Sequence, residues 1–235
     1  MTEATKDAEA LVPEGWSSIA GLACGFGDRA AAAPPGTLLL ERQVHGSRVV
    51  DATAEARLPG VAADGYPRLA AEADAVVVAA PGLVAGVRTA DCVPLLLVAP
   101  RRRWAAVVHA GWRGTIAGIA GEAVGAARAA GIDPAELLAA LGPSIGPCCY
   151  EVSPELGEEF ALAGLPVVRA ASSSRPHLDL REANRILLGR SGVAPASIQA
   201  TGPCTRCAKD RYHSFRADPR CAGRQVSWIG WAPKA

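Results

Sequence analysis

No segment of the 235-residue chain reaches the roughly 18 uninterrupted apolar residues that a membrane-spanning helix needs. The opening stretch, MTEATKDAEALVPEGW, has no basic region followed by an apolar one, so no secretory signal is expected and a cytoplasmic setting is. Neither sign of charge is in excess. Lys plus Arg number 24 against 23 Asp plus Glu, which leaves no global field to attract nucleic acid or an anionic membrane. The expected partner is therefore a small molecule, with no nucleic acid and no membrane. No repeat with a period of about 20–50 residues is present. The seven cysteines are odd in number and irregularly spaced, in a chain too long to depend on staples, which argues against a disulfide framework and for reduced thiols.

Half of the residues are apolar, which suffices for one sizeable core and is marginal for two. The expectation is a flexible N-terminal tail over residues 1–12 and a single catalytic domain over 13–235. Short apolar runs at 37–44, 48–52, 73–80, 83–89, 94–98 and 104–109 read as strands, as do 137–142, 198–201 and 225–229. Residues 114–130 carry apolar side chains at helical spacing and end at Gly131, and 154–163 and 180–192 are two further helix candidates. The Ala- and Ser-rich patches at 30–35 and 170–174 read as loops. Strands, helix, strand, helices and strands in that order predict an α+β fold, mixed β-sheets flanked by helices, rather than regular βαβ alternation. An exposed sheet edge would leave room for a homodimer.

Three residues with metal affinity fall at strand ends: His45 after TLLLERQV, Cys92 before VPLLLV, and His109 closing WAAVV. Strand ends on one rim can converge despite long separation in sequence. Two imidazoles and a thiolate suit Zn²⁺, at about 2.0–2.1 Å for nitrogen and about 2.3 Å for sulfur, and three protein ligands leave a fourth position open, as catalysis requires. The alternative is a set of buried polar residues at loop corners. The string HAGWRGT runs from a strand end into a helix, and its backbone N–H groups with Arg113 would dock an anion such as phosphate; a tight turn with a solvated Arg113 is the other reading. Asp91 either bonds a ligand imidazole or caps a turn.

Other motifs carry less. GPSIGPCCYEV at 142–152 holds Ser144, Cys149, Tyr150 and Glu151 in a Gly/Pro-rich loop. PCTRC at 203–207 matches half of the zinc nucleobase-deaminase signature, but none of the four histidines begins the H-x-E half, so that fold is excluded. Cys204, Cys207, His213 and Cys221 would fit a closed structural zinc site in number and type, against loose spacings. In HSFR at 213–216, Phe215 and Arg216 would stack on a flat base and hold an anion, or serve as core and surface residues.

QVHG at 43–46, TADCVP at 89–94, HAGWRGT at 109–115, GPSIGPCCYEV at 142–152, and CT followed by SFRAD and GRQ resemble, in order, the laccase-domain (multicopper-oxidase-like) family described as purine nucleoside phosphorylases. That resemblance implies a laccase-type domain with His45, Cys92 and His109 as zinc ligands, copper being the other ion to weigh. It also implies phosphorolysis of adenosine, inosine and methylthioadenosine, and deamination of adenosine. On this reading Cys92, His109 and Arg113 are catalytic, and Gln43, Arg113, Ser144, Phe215 and Arg216 contact nucleoside and phosphate. Ala217 departs from the family, where a second basic residue is common, and Cys148, Cys207 and Cys221 receive no role. Three alternatives stand beside it: a cysteine hydrolase built on Cys92 and His109, a copper-dependent polyphenol oxidase, and an accessory factor in peptidoglycan precursor fidelity. Four histidines are too few for several copper clusters.

Overall fold

The computed structural model describes residues 9–169, 175–220 and 223–233. Its strands are β1 (Leu22–Phe26), β2 (Leu38–Arg42), β3 (Val49–Asp51), β4 (Arg68–Glu72), β5 (Ala75–Val78), β6 (Val84–Thr89), β7 (Val93–Ala99), β8 (Trp104–Ala110), β9 (Leu138–Leu141), β10 (Val167–Val168), β11 (His177–Leu178), β12 (Ile198–Ala200) and β13 (Gln225–Trp231). The helices are α1 (Trp112–Ile116), α2 (Ile119–Ala129), α3 (Pro154–Leu162) and α4 (Leu180–Arg190). A five-stranded sheet, β1-β13-β6-β2-β4, lies on a six-stranded sheet, β12-β9-β7-β8-β5-β3, with β10 and β11 pairing separately. Both large sheets mix parallel and antiparallel neighbours, so the domain is α+β.

β7 and β8 are apolar at nearly every position because both faces of their sheet are buried. Along β7, Val93, Leu95 and Leu97 pack with Ile119, Ala123 and Val124 of α2 and with Leu180 and Leu188 of α4. Leu96 and Val98 face the other way, toward Leu38, Leu40, Val87 and Ile229 of the five-stranded sheet. β8 divides alike, with Val108 and Ala110 toward the helices and Ala105 and Val107 between the sheets. His109 alternates with the first pair, so its ring enters the gap between the sheets at the strand's end. Each fully buried Val or Leu contributes roughly 1.5–3 kcal/mol, so two cores hold these strands rigid up to the rim.

Register determines which loops meet there. His109 pairs with Pro94 and Val108 with Ala75, while Leu95 pairs with Leu141. The starts of β5 and β7 and the ends of β8 and β9 therefore share one rim. In the other sheet Gln225 pairs with Thr89 and Leu39 with Gly86, which brings the ends of β2 and β6 and the start of β13 together. The three residues between β6 and β7, Ala90, Asp91 and Cys92, join the two rims.

The expected helix over 114–130 is two helices, because Gly118 at φ 81° takes a left-handed turn between them. Its far end follows the sequence. Gly131 at φ 73° donates to Arg128 O and Ile132 N–H to Ala127 O, a Schellman closure. β1 and β4 were not anticipated; LACGF and RLAAE are too rich in small and charged residues to stand out as strands. Residues 1–8 of the expected tail and the expected loop at 170–174 lie outside the described residues, whereas Leu11 already pairs with Phe26 beside β1. Among the described residues no helix is long and apolar enough to cross a membrane.

Candidate metal centre

The rim brings His45, Cys92 and His109 together, with one donor atom from each lying within 4.8 Å of the others. The two imidazoles stand edge to face, ring centroids 4.7 Å apart. His109 is 3% exposed at the end of β8, whereas His45 is exposed on the loop after β2. His45 takes a left-handed φ of 59°, which costs on the order of 1–2 kcal/mol for a residue with a side chain.

Asp74, fully buried immediately before β5, offsets that cost. Its carboxylate accepts His45 N–H at 2.9 Å, Gly46 N–H at 2.7 Å and His109 Nδ1–H at 2.8 Å, while its carbonyl accepts His109 N–H at 2.7 Å. Burial opposes the charge, but the His109 donor and the Gly46 and His45 amides outweigh it and hold the carboxyl below its ordinary range. With Nδ1 engaged by Asp74, Nε2 is the ring nitrogen of His109 left to face a ligand. Sequence reading had offered this part to Asp91. Asp91 instead accepts Thr205 Oγ1–H at 2.6 Å and Arg216 N–H at 2.7 Å, and so ties two loops together. Asp74 was missed because ADAVVV reads only as the start of a strand.

The thiol of Cys92 lies within 4.8 Å of a donor nitrogen of each imidazole. Burial disfavours a thiolate, yet the charge and donors of His109 and His45 bring it down to about 6. Burial likewise opposes the charge on His109, which the Cys92 thiolate and Asp74 raise to about 9. Gly111 closes the other side. A Cβ there would stand 3.0 Å from His45 Nδ1 and 3.1 Å from Cys92 Sγ. Two nitrogens, a sulfur, a carboxylate behind one imidazole and a backbone without a side chain fit a zinc-type ion.

The triad opens onto a cavity of about 750 Å³ lined by Arg42, Arg88, Arg113, Arg216 and Arg224, and by Trp112, Tyr150 and Phe215. Arg113 stacks on Trp112 at 4.3 Å and Arg216 on Tyr150 at 5.0 Å, the latter also donating to Glu151 O at 2.7 Å. Phe215 is half exposed at the mouth. Gln43 lines the wall, but its amide exchanges two 2.8 Å bonds with the Arg88 backbone, which makes it a brace between β2 and β6. Ser144, expected to touch substrate, is fully buried and lines no part of the cavity. Helix α1 spans five residues, so the arginines rather than a helix end give the HAGWRGT region its positive character. Arg42, Arg88 and Arg224 escaped sequence reading because nothing local marks an arginine as facing a cavity.

The remaining cysteines regroup. Cys204 and Cys207 meet Cys148 and Cys149, not His213, and Cys221 lies outside the described residues.

Residues 27–232 match the family described as multi-copper polyphenol oxidoreductase laccase. The chain is 38% identical over 196 residues to "Adenosine deaminase RL5" from an unknown prokaryotic organism, covering 82% of this chain and 74% of that one. It is 35% identical over 197 residues to "Purine nucleoside phosphorylase YlmD" of Geobacillus stearothermophilus, covering 80% and 70%. The crystal structure of YlmD from Geobacillus stearothermophilus superposes with a TM-score of 0.78 at 26% identity, covering 97% of this chain and 98% of that one.

Proposed function

The chain belongs to the family described as multi-copper polyphenol oxidoreductase laccase, and from that premise we propose a zinc-dependent purine nucleoside enzyme. Its reactions are phosphorolysis of adenosine, inosine and methylthioadenosine to base and (methylthio)ribose 1-phosphate, and deamination of adenosine. One observation carries this reading: a single cavity joins the His45–Cys92–His109 donor set to five arginines and three aromatic rings. A nucleoside and a phosphate need those three chemistries together. The names of the relatives, a phosphorylase and a deaminase, support the substrate class. A reducing cytoplasm, where free thiols persist, is the setting this reading assumes.

Zinc held by His45, Cys92 and His109 would supply Lewis acidity at the cavity floor. Everything else falls to the chain. Asp74 fixes His109 in one tautomer and orientation. Arg113 and Arg216 present planar guanidinium groups to phosphate, whose oxygen attacks the ribose C1′ as the bond to the purine breaks. Tyr150 and Phe215 offer faces on which the purine stacks. Burial and the Cys92 charge push the Tyr150 phenol up to about 12, so it remains an O–H donor at neutral pH for the departing base. In deamination water adds at C6 of the purine and ammonia leaves, with the same residues holding the ring.

Incubation of metal-replete protein with adenosine, with and without phosphate, tests the proposal by product mass. Adenine formed only with phosphate and inosine formed without it are the expected products, both lost in His45→Ala. Absence of both would sink the enzyme reading and leave an accessory role in peptidoglycan precursor fidelity. The cysteine hydrolase has its own observation, because Cys92, His109 and Asp74 stand in nucleophile, base and carboxylate order. The second imidazole on the same thiol, His45, favours a metal. Metal-free but fully active wild type would overturn that preference. Polyphenol oxidation by several coppers is disfavoured, since among the described residues His177 and His213 belong to no donor group and His177 bonds Pro147 O at 2.6 Å.

A further inference from the structure

A second set of soft donors lies apart from the cavity. β9 and β12 are parallel neighbours, Ala139 opposite Ile198 and Leu141 opposite Ala200, so the loops that follow them leave the sheet on the same side. A bridge between Ser144 and Cys204 carries the pairing beyond both strands. The first loop turns at Gly146, whose carbonyl accepts Cys149 N–H and Tyr150 N–H, both at 3.0 Å, and it presents Cys148 and Cys149. The second turns on Ala208 N–H to Cys204 O at 3.0 Å and presents Cys204 and Cys207.

All four Sγ atoms lie within 4.8 Å of one another. Cys207 Sγ is 3.6 Å from Cys148 Sγ and 3.5 Å from Cys149 Sγ. A disulfide would require about 2.05 Å. Four sulfurs at about 2.3 Å around a tetrahedral zinc stand about 3.8 Å apart, close to the spacing found. The space is too small for an iron–sulfur cluster, whose irons and sulfides must fit inside its thiolates. A separate feature points the same way: Cys204 Sγ accepts Gly146 N–H at 3.2 Å, a backbone donor of the kind that supports a sulfur ligand. Gly146 permits the approach, since a Cβ there would stand 3.4 Å from Cys148 Sγ and 3.3 Å from Cys204 Cβ.

We propose that Cys148, Cys149, Cys204 and Cys207 bind one Zn²⁺ as a closed structural site. None of the four lines the cavity, and four thiolates leave no position for substrate. The ion clasps two loops that build the cavity wall. Tyr150 follows Cys149 directly, and Thr205, inside the CxxC turn, holds the Asp91 carboxylate that accepts Arg216 N–H. This inference does not depend on the reaction proposed above.

Zinc quantification and intact mass on purified protein test it. Wild type should carry a second zinc equivalent that survives in His45→Ala and is lost in the Cys148→Ser/Cys207→Ser double variant, and its denatured mass should be that of the fully reduced chain. Both substituted cysteines are exposed. As a check that leaves the four cysteines untouched, Co²⁺ added to metal-free His45→Ala should develop the intense visible absorption of a tetrahedral thiolate complex. Zinc lost entirely in His45→Ala, a mass two hydrogens short, or only the weak absorption of octahedral Co²⁺ would each overturn the proposal.

Discussion

The two donor sets occupy the same domain yet are built on opposite plans. His45, Cys92 and His109 stand at strand ends, backed by a buried carboxylate, and face an open cavity of about 750 Å³. The four cysteines sit on two loops, have no carboxylate within their group, and line no part of that cavity. Mixed nitrogen and sulfur donors with an open position suit reaction, whereas four sulfurs in a closed shell suit stability. The difference teaches that a sheet rim can present both kinds of donor set when rigid strands fix one and a parallel strand pair aligns the loops of the other.

Glycine substitutions test the comparison with the largest expected effect. In Gly111→Ala the added carbon stands 3.0 Å from His45 Nδ1 and 3.1 Å from Cys92 Sγ, both on residues that cannot yield without leaving the centre. Overpacking of up to about 3 kcal/mol corresponds to a loss on the order of 100-fold in metal occupancy and nucleoside turnover. Gly146→Ala meets its neighbours only at 3.3 Å and beyond, so its effect should be several-fold smaller and confined to the cysteine cluster. Equal losses in the two variants would erase the distinction between a strand-fixed and a loop-built centre. Metal analysis and turnover on both proteins decide it.

Asp74→Asn comes next. It keeps the side chain's shape but removes the charge that three donors converge on. Replacement of such a partner behind a ligand histidine typically costs about 10–100-fold in metal affinity or activity. Among the described residues the cysteine cluster has no carboxylate in its group, so the zinc proposed there should stay in place. A variant with unchanged metal affinity and turnover would mean that Asp74 serves only the His45 turn.

Much of this is legible in the sequence, for physical reasons that vary by residue. β7 and β8 announced themselves because burial on both faces leaves almost no polar position in VPLLLV and WAAVV. The triad followed, since Cys92 and His109 flank those runs and His45 follows the equally apolar start of TLLLERQV. The single long helix failed at Gly118, where a glycine compatible with a helix adopts φ 81° instead. Asp74 and the cysteine cluster were hidden because both depend on pairing. Asp74 reaches His109 only through the register of β5 on β8, and Cys148 reaches Cys207 only because β9 and β12 run parallel. No local string encodes either.

The smallest expected effect lies on the link between the two regions. Thr205 is fully buried and donates to Asp91 Oδ1 at 2.6 Å, and Asp91 stands next to Cys92 in the chain. Thr205→Val keeps the volume and leaves one carboxylate oxygen short of a donor, which costs about 1–3 kcal/mol. For a domain of this size that is a fall of roughly 2–4 °C in Tm per kcal/mol. Because Asp91 Oδ2 still holds Arg216 N–H, the change should raise KM a few-fold while kcat and both metal contents hold. A drop in kcat with KM unchanged would place Thr205 in support of the triad rather than of the cavity wall, and would make the two centres one cooperative unit instead of neighbours on a shared rim.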